Sequence, residues 1–281
     1  VVGLKPTYGR VSEAGAAPLC WSVGHLGPLA ASTADAALIY LTIAGPDPRD
    51  ANSLRHPPVT LAGWQNTDLH GLRLGIYPEW FEHADPEVVA ICKAQVEAFR
   101  AAGAEIQTIE IPELDEMRIA HVITILSEMA ASMKNYRAQR KLHSGSTRIS
   151  LAMAEAFTAT EYVMAQRMRT RALAHFAAAF TQVDAILTPA TALAAQPIPE
   201  GGADGGWSDL SVDTELMRFV FPSNFTGSPA ITFPAGYDLR GLPVGMQAIG
   251  RHWEEHLLLR LAFTAEQTVE RRAPARFYPV F

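Results

Sequence analysis

The stretch that decides the fold runs from VDAILTPAT (183–191) to PSNFTGSPAITFPAGYDLRGLPVGMQAIG (222–250). Three short apolar runs lie in it: Ala185–Leu187, Ala230–Phe233 and Val244–Ile249. Each is bounded by Pro, Gly or Asp and has the length of a strand. Tyr237-Asp238-Leu239-Arg240-Gly241 between the last two is hairpin-turn chemistry. Long helical patterns flank the block, which predicts an α/β protein with a mixed β-sheet core covered by helices on both faces. Asn224-Phe225-Thr226-Gly227-Ser228-Pro229 is the most polar and glycine-rich junction in it. It reads either as a ligand loop beside a strand or as a tight helix-to-strand connection.

Working outward, GLRLGIYP (71–78) alternates as a strand. Asp85 with Pro86 starts a helix whose apolar face is Val89, Cys92, Val96 and Phe99, and Gly103 ends it. AEIQTIEIP (104–112) then gives a second strand, so 71–112 is predicted to be a parallel β-α-β unit. Residues 113–182 form a helical region and 183–270 a sheet-and-helix region. Leu114–Arg140 is predicted as one helix with inner positions Met117, Ala120, Ile123 or Thr124, and Ser127. Glu113, Asp115, Glu116 and Glu128 suggest paired carboxylates, but Glu113 and Glu116 lack an apolar setting or a histidine neighbour in sequence, which favours solvated acids. RAQRKLHSGSTR (137–148) reads as a basic connector. Ile149–Phe180 reads as two helices meeting near Thr158–Thr160. Asp213 is expected to cap a helix through Phe221. Ala34–Ala44, capped by Ser32 or Thr33, is apolar almost all round and is expected to be buried. Pro189–Trp207 is a loop long enough for a rim or lid, and the terminal APARFYPVF is either docked or disordered.

The 281 residues are 48% hydrophobic with a formal net charge of −6. That excludes the basic footprint of a nucleic-acid binder. No apolar run reaches the length of a membrane helix. Two cysteines without paired spacing, Cys20 and Cys92, favour a reducing, cytoplasmic setting over a disulfide scaffold. The nine histidines are scattered without HxH or HExxH spacing, so no metal site is predicted. His25, between Gly24 and Leu26, is expected to be a hydrogen-bonded structural histidine. No GxSxG elbow and no Ser-x-x-Lys pair is present.

Two separated segments resemble the amidase signature family of Ser-Ser-Lys amide hydrolases. One is VVGLKPTYGRVS (1–12) with GPLAASTADAA (27–37). The other is PATALAAQPIP (189–199) with FPSNFTGSPAITFPAGYDLRGLPVGMQAIGRHWEEHLLLRLA (221–262). IPELDEMRIAHV, STRISLAMAEAF, EYVMAQRMRTRA and DTELMRFVFPSN are most similar to the plant-type fatty acid amide hydrolase branch. The resemblance implies the amidase-signature fold and acyl transfer without metal or organic cofactor. It implies a neutral lysine as base, a bridging serine and backbone donors for the oxyanion. It places the nucleophile loop and catalytic lysine before Val1. The chain is therefore expected to be the C-terminal portion of an amidase domain with its N-terminal part missing. No catalytic residue is assigned in it, Lys5 included, and it is expected to be inactive alone, to need the upstream part of the polypeptide, and to expose apolar surface at Val1, Val2 and Leu4.

By the same resemblance Arg148, Met217, Phe221, Asn224 and Thr226 line the substrate pocket. Arg148 lies where amidotransferase subunits hold an arginine for a substrate carboxylate. The expected partner is a small-molecule amide with an apolar acyl or aryl group, from the Met217, Phe219, Phe221 and Phe225 cluster. Dimers are common in the family. The rival readings are a non-catalytic binding module and an amidotransferase A-like subunit.

Overall fold

Strand alternation divides the interior in two. In the computed structural model, which describes residues 1–17, 19–54, 56–197 and 209–272, Ala185 and Leu187 of strand β5 (Ala185–Pro189) join one apolar cluster and Ile186 between them joins another. This follows from side chains pointing alternately to opposite faces of a pleated strand. A sheet buried on both sides needs helices on both sides.

The sheet has seven strands in the order β2-β1-β6-β7-β5-β3-β4. They are β1 (Val2–Lys5), β2 (Leu29–Ala30), β3 (Arg73–Ile76), β4 (Glu105–Thr108), β5, β6 (Ala230–Tyr237) and β7 (Pro243–Gly250). The β3–β4 and β3–β5 pairs are parallel; β5–β7, β7–β6, β6–β1 and β1–β2 are antiparallel. The three apolar runs are thus three strands, the last two forming a hairpin closed by Asp238, which accepts the Leu242 and Arg240 amides.

On one face lie α1 (Thr33–Ile43), α3 (Pro86–Ala101) and α9 (Glu255–Glu266). Asp85 caps α3 by accepting the Glu87 amide, with Pro86 in the first turn. Between β3 and α3 lies the short α2 (Pro78–Phe81). On the other face lie α4 (Leu114–Ser132), α6 (Ala159–Gln182) and α8 (Phe221–Thr226). A capping box at Thr158 and Glu161 starts α6.

Four expectations are corrected. The resemblance predicts a missing N-terminal part and, with it, apolar surface exposed at Val1, Val2 and Leu4. Instead β1 is paired along both edges, and Val2 and Leu4 are 0% and 2% exposed within the core; Val1 alone of the three is exposed. Helix α1 is not buried all round: Leu38, Ile39, Leu41 and Ile43 face outward, since only Thr33, Ala36, Ala37 and Tyr40 reach the core. The basic stretch 137–148 is helical: α4 passes into a 3-10 segment, Met133–Leu142, and then α5 (Gly145–Ala154). Finally, Asp209 caps the short α7 (Leu210–Leu216), which ends before α8; Pro222 in the first turn of α8 cannot extend a preceding helix. Most of the predicted 189–207 loop and the last nine residues lie outside the described residues.

The core on the α3 face is tightly defined by Phe99 and Phe233, both fully buried, whose rings meet edge to face at 5.8 Å. Phe233→Ala is expected to lower the unfolding free energy by about 3–5 kcal/mol. Denaturant titration checks it, and a loss below about 1 kcal/mol would mean that the site collapses around the deletion.

Candidate active-site wall

Helix α8 ends in the junction that the sequence singles out. Gly227 has φ 73°, the left-handed conformation that terminates a helix. Its carbonyl accepts the Tyr8 amide at 2.9 Å, and a Cβ there would stand 2.9 Å from Tyr8 Cβ. Thr226 Oγ1 donates to the Pro222 carbonyl at 2.7 Å and lies 3.0 Å from Ser228 Oγ. His252 Nε2 donates to the Thr226 carbonyl at 3.1 Å. Lys5, at the end of β1, donates to the Ser228 carbonyl at 2.6 Å and to Pro6 at 3.3 Å.

Burial lowers the Lys5 ammonium to about 7, opposed in part by Glu255. Burial likewise lowers His252, and takes His25 down to about 3, Lys5 adding to the effect. His25 donates through Nδ1 to Val23 at 2.9 Å and meets the Tyr8 ring at 5.5 Å, as expected of a structural histidine. Beneath the junction, Glu255 accepts the Thr7 amide at 2.9 Å and pairs with Arg10 at 3.4 Å. Burial would raise this carboxyl, but Thr7 and Arg10 outweigh it and hold it low. A cleft of about 430 Å³ beside β1 is lined by Gly3, Lys5, His25, Leu29 and Thr232 among others.

Behind α8 stands an aromatic wall. Trp80 packs on Phe219 at 5.6 Å and on Phe221 at 6.5 Å, and His121 lies 6.3 Å from Phe221 and 6.1 Å from Phe225. His121 is 2% exposed, its Nε2 has no partner among the described residues, and burial pushes it down to about 4. A second polar cluster adjoins the wall. Glu128 of α4 accepts the Ser22 amide at 3.0 Å, the Ser22 hydroxyl at 2.5 Å and the Tyr162 hydroxyl at 3.0 Å. Arg169 of α6 donates to the Ser22 carbonyl at 2.6 Å and lies over the Phe225 ring at 5.9 Å.

The predicted pocket residues separate accordingly. Phe221 and Thr226 are buried in α8, Asn224 is half-buried there, and Met217 at the end of α7 is 44% exposed. Phe219 and Phe225 are fully buried core. Arg148 is exposed on α5, which packs against α4. A larger cleft, about 570 Å³, lies instead between α4 and α6. Glu113 is not a solvated acid: it pairs with Arg171 and with His175 at 2.7 Å, both brought by α6. The sequence reading misses Ser22, Tyr162 and Arg169, and the burial of Glu128. The signal for Glu128 is its register: it continues the buried series Met117, Ala120, His121, Thr124 on α4. Among the described residues no group of metal-binding side chains occurs, and no helix is long and apolar enough to cross a membrane.

Two parallel strand pairs joined to an antiparallel hairpin, with helices on both faces, define a helix-covered α/β scaffold; comparison with known proteins supplies the class. The family model described as "Amidase" matches residues 1–259, and the chain belongs to that family. It is 39% identical over 290 residues to a fatty acid amide hydrolase of Oryza sativa subsp. indica, covering all of this chain and 48% of that protein. The solved A-type subunit of the glutamyl-tRNA(Gln) amidotransferase of Thermotoga maritima is 26% identical, with a TM-score of 0.77 over 96% of this chain and 58% of that one. A peptide amidase bound to the competitive inhibitor chymostatin is 27% identical, with a TM-score of 0.74 over 99% of this chain and 60% of its own.

The chain therefore spans about half the length of the curated relatives it matches. The family match nonetheless starts at residue 1 and leaves only 260–281 unmatched. That finding corrects the expectation of a match confined to a C-terminal portion: the family match runs along nearly the whole chain. The expectations built on it, of a chain inactive alone for want of the catalytic residues and dependent on an upstream part, are withdrawn.

Lys5 sets a pH dependence of stability. Its folded pKa, about 7, lies below the unfolded value, so between pH 7 and about 10.5 the unfolded chain binds a proton that the folded chain does not. Stability conferred by Lys5 should rise with pH across that window, and below it the buried ammonium is a full burden. Relative to Lys5→Met, the natural protein should gain stability from about pH 7 to about pH 10; parallel curves in denaturant titrations would show that the amine is solvated.

Proposed function

We propose that the protein hydrolyses amides of apolar acyl or aryl acids, and that the segment Met217–Thr226 forms one wall of the acyl site. The observation that carries the reading is the aromatic wall of Trp80, Phe219, Phe221 and Phe225, from which Met217 projects outward. The family membership gives the reaction: water replaces the amine on the acyl carbon, releasing acid and amine. Phe221 and Phe225 act as a rigid floor, Met217 as the adaptable contact, and Asn224 and Thr226 as the polar edge. Thr226 holds the junction through Pro222 and Ser228 and so serves the site by shaping it. The two free, buried cysteines suit a cytoplasmic setting. Arg148, exposed on α5, carries the second reading, in which it binds the carboxylate of an amide such as glutamine.

The test is a series of primary amides of increasing acyl length, with an anilide and glutamine, assayed by product release. The specificity constant should climb with chain length, by at most about fourfold per methylene that is fully buried. Glutamine turning over faster than the long-chain and aryl amides would overturn the apolar assignment in favour of the Arg148 reading. Met217→Ser should flatten the chain-length dependence without shifting the melting temperature. Phe221→Ala should instead cost about 3–5 kcal/mol of stability. A Met217 variant with unaltered length dependence would remove that residue from the wall.

A further inference from the structure

The turn formed by residues 20–25 packs Cys20 and Val23 into the core on the α4 and α6 face and is held there by one buried carboxylate. Its backbone folds on itself, Val23 and Gly24 both donating to the Cys20 carbonyl. Glu128, 1% exposed, takes the amide and the hydroxyl of Ser22, at 3.0 and 2.5 Å. Its third donor is Tyr162 of α6, at 3.0 Å, and Arg169 of α6 holds the Ser22 carbonyl at 2.6 Å. Two helices and the turn therefore meet on one carboxylate. Hydrogen bonds to a carboxylate inside a protein are stronger than neutral ones. Removing such a group leaves its donors unsatisfied. From the same turn His25 reaches the 430 Å³ cleft, where it lies beside Lys5. Tyr8, which holds the Trp21 carbonyl at 2.7 Å and touches the His25 ring, also donates its amide to the junction after α8.

We propose that Glu128 is a positioning residue: its carboxylate latches the turn 20–25 onto α4 and α6, and through the turn it fixes the wall that His25, Tyr8 and the α8 junction present to substrate. The functional half of this rests on the amide-hydrolase reading; the latch itself does not. Arg169 supports the latch from its other side, because it holds the Ser22 carbonyl at 2.6 Å. Tyr162 contributes one donor of three and, among the described residues, no hydrogen bond to the turn, so its loss should matter less than that of Glu128.

The experiment uses Glu128→Gln and Tyr162→Phe in the whole protein. Glu128→Gln keeps the shape of the side chain but offers one acceptor oxygen in place of two. Hydrogen exchange is followed by mass spectrometry over residues 20–26, with β7 as the internal reference. Exchange at 20–26 should quicken at least tenfold in Glu128→Gln and less than threefold in Tyr162→Phe, with β7 unchanged in both. In Glu128→Gln the specificity constant for the best amide substrate should fall at least tenfold, with a rise in KM, while the melting temperature moves little. Unchanged exchange at 20–26 would overturn the latch. Faster exchange everywhere would make Glu128 a general stabiliser and overturn it as well. Faster local exchange with a specificity constant within twofold of the natural protein would overturn the positioning role alone. Should the natural protein hydrolyse no amide, the amide-hydrolase reading fails and the substrate clause with it, while the exchange data still decide the latch.

Discussion

Glu255 is the constraint on which the placement of the N-terminal segment depends. It opens helix α9, lies almost wholly out of solvent, and accepts the amide of Thr7 and a guanidinium nitrogen of Arg10. Residues 248 and 245 positions apart in sequence are thereby fixed to one carboxylate. Closing such a long loop is entropically unfavourable, and the loss is offset only if several contacts form together. They do: Trp253 donates its amide to the Thr7 hydroxyl, Arg10 stacks on the Trp253 ring at 4.7 Å, and β1 pairs with β6. A buried carboxylate with these partners stays ionised because each replaces a hydration contact. The turn Lys5–Arg10 is in this way held against the end of α9, and Lys5 is directed to the Ser228 carbonyl.

The same constraint explains why the polar chemistry gathers at one junction. Between α8 and β6 the chain must reverse, and Gly227 allows it in the left-handed conformation with Tyr8 packed against its backbone. Three segments remote in sequence, 5–8, 226–228 and 252–255, meet there, and the carbonyls of Thr226, Gly227 and Ser228 each accept a bond from one of the other two. Helices can then differ in what they present outward without disturbing the sheet. Met217 and Arg148 occupy such outward positions and Asn224 a half-buried one, whereas Phe219 and Phe225 are held in the core.

Much of the fold was legible in the sequence, and the reason is local. Ala185–Leu187, Ala230–Phe233 and Val244–Ile249 are bounded by residues that break regular structure, so each strand is specified by a few neighbours. Asp85 and Pro86 announce α3 in the same way. Misreadings arose where a local signal met a tertiary one. Helix α1 is apolar on every side, yet only one side is needed to cover β1. The run 137–148 is basic because it is exposed, and exposure does not forbid helix when Ser144 accepts the Thr147 amide as a cap. The burial of the first strand escapes the sequence for another reason: the resemblance says nothing of local packing, whereas Val2 and Leu4 find their partners in β2, β6 and α1.

The candidate site was far less legible, and the difference is one of contact range. Glu113 looked solvated because its partners, His175 and Arg171, come from the far part of α6, 62 residues away in the case of His175. Glu128 reads in sequence as another such acid, although its partner Ser22 lies 106 residues upstream and its side chain is buried in the bundle. No pattern within one helix reveals such a partner; what the pattern does reveal is the face. An acid in register with Met117, Ala120 and Thr124 must be buried if that face is buried, and a buried acid must find donors. The inference from face to burial to obligatory partner needs no knowledge of which segment supplies the donors. It separates Glu128 from Asp115 and Glu116 on α4, and it is the physical ground on which a polar residue in an apolar stripe is read as an anchor for something distant.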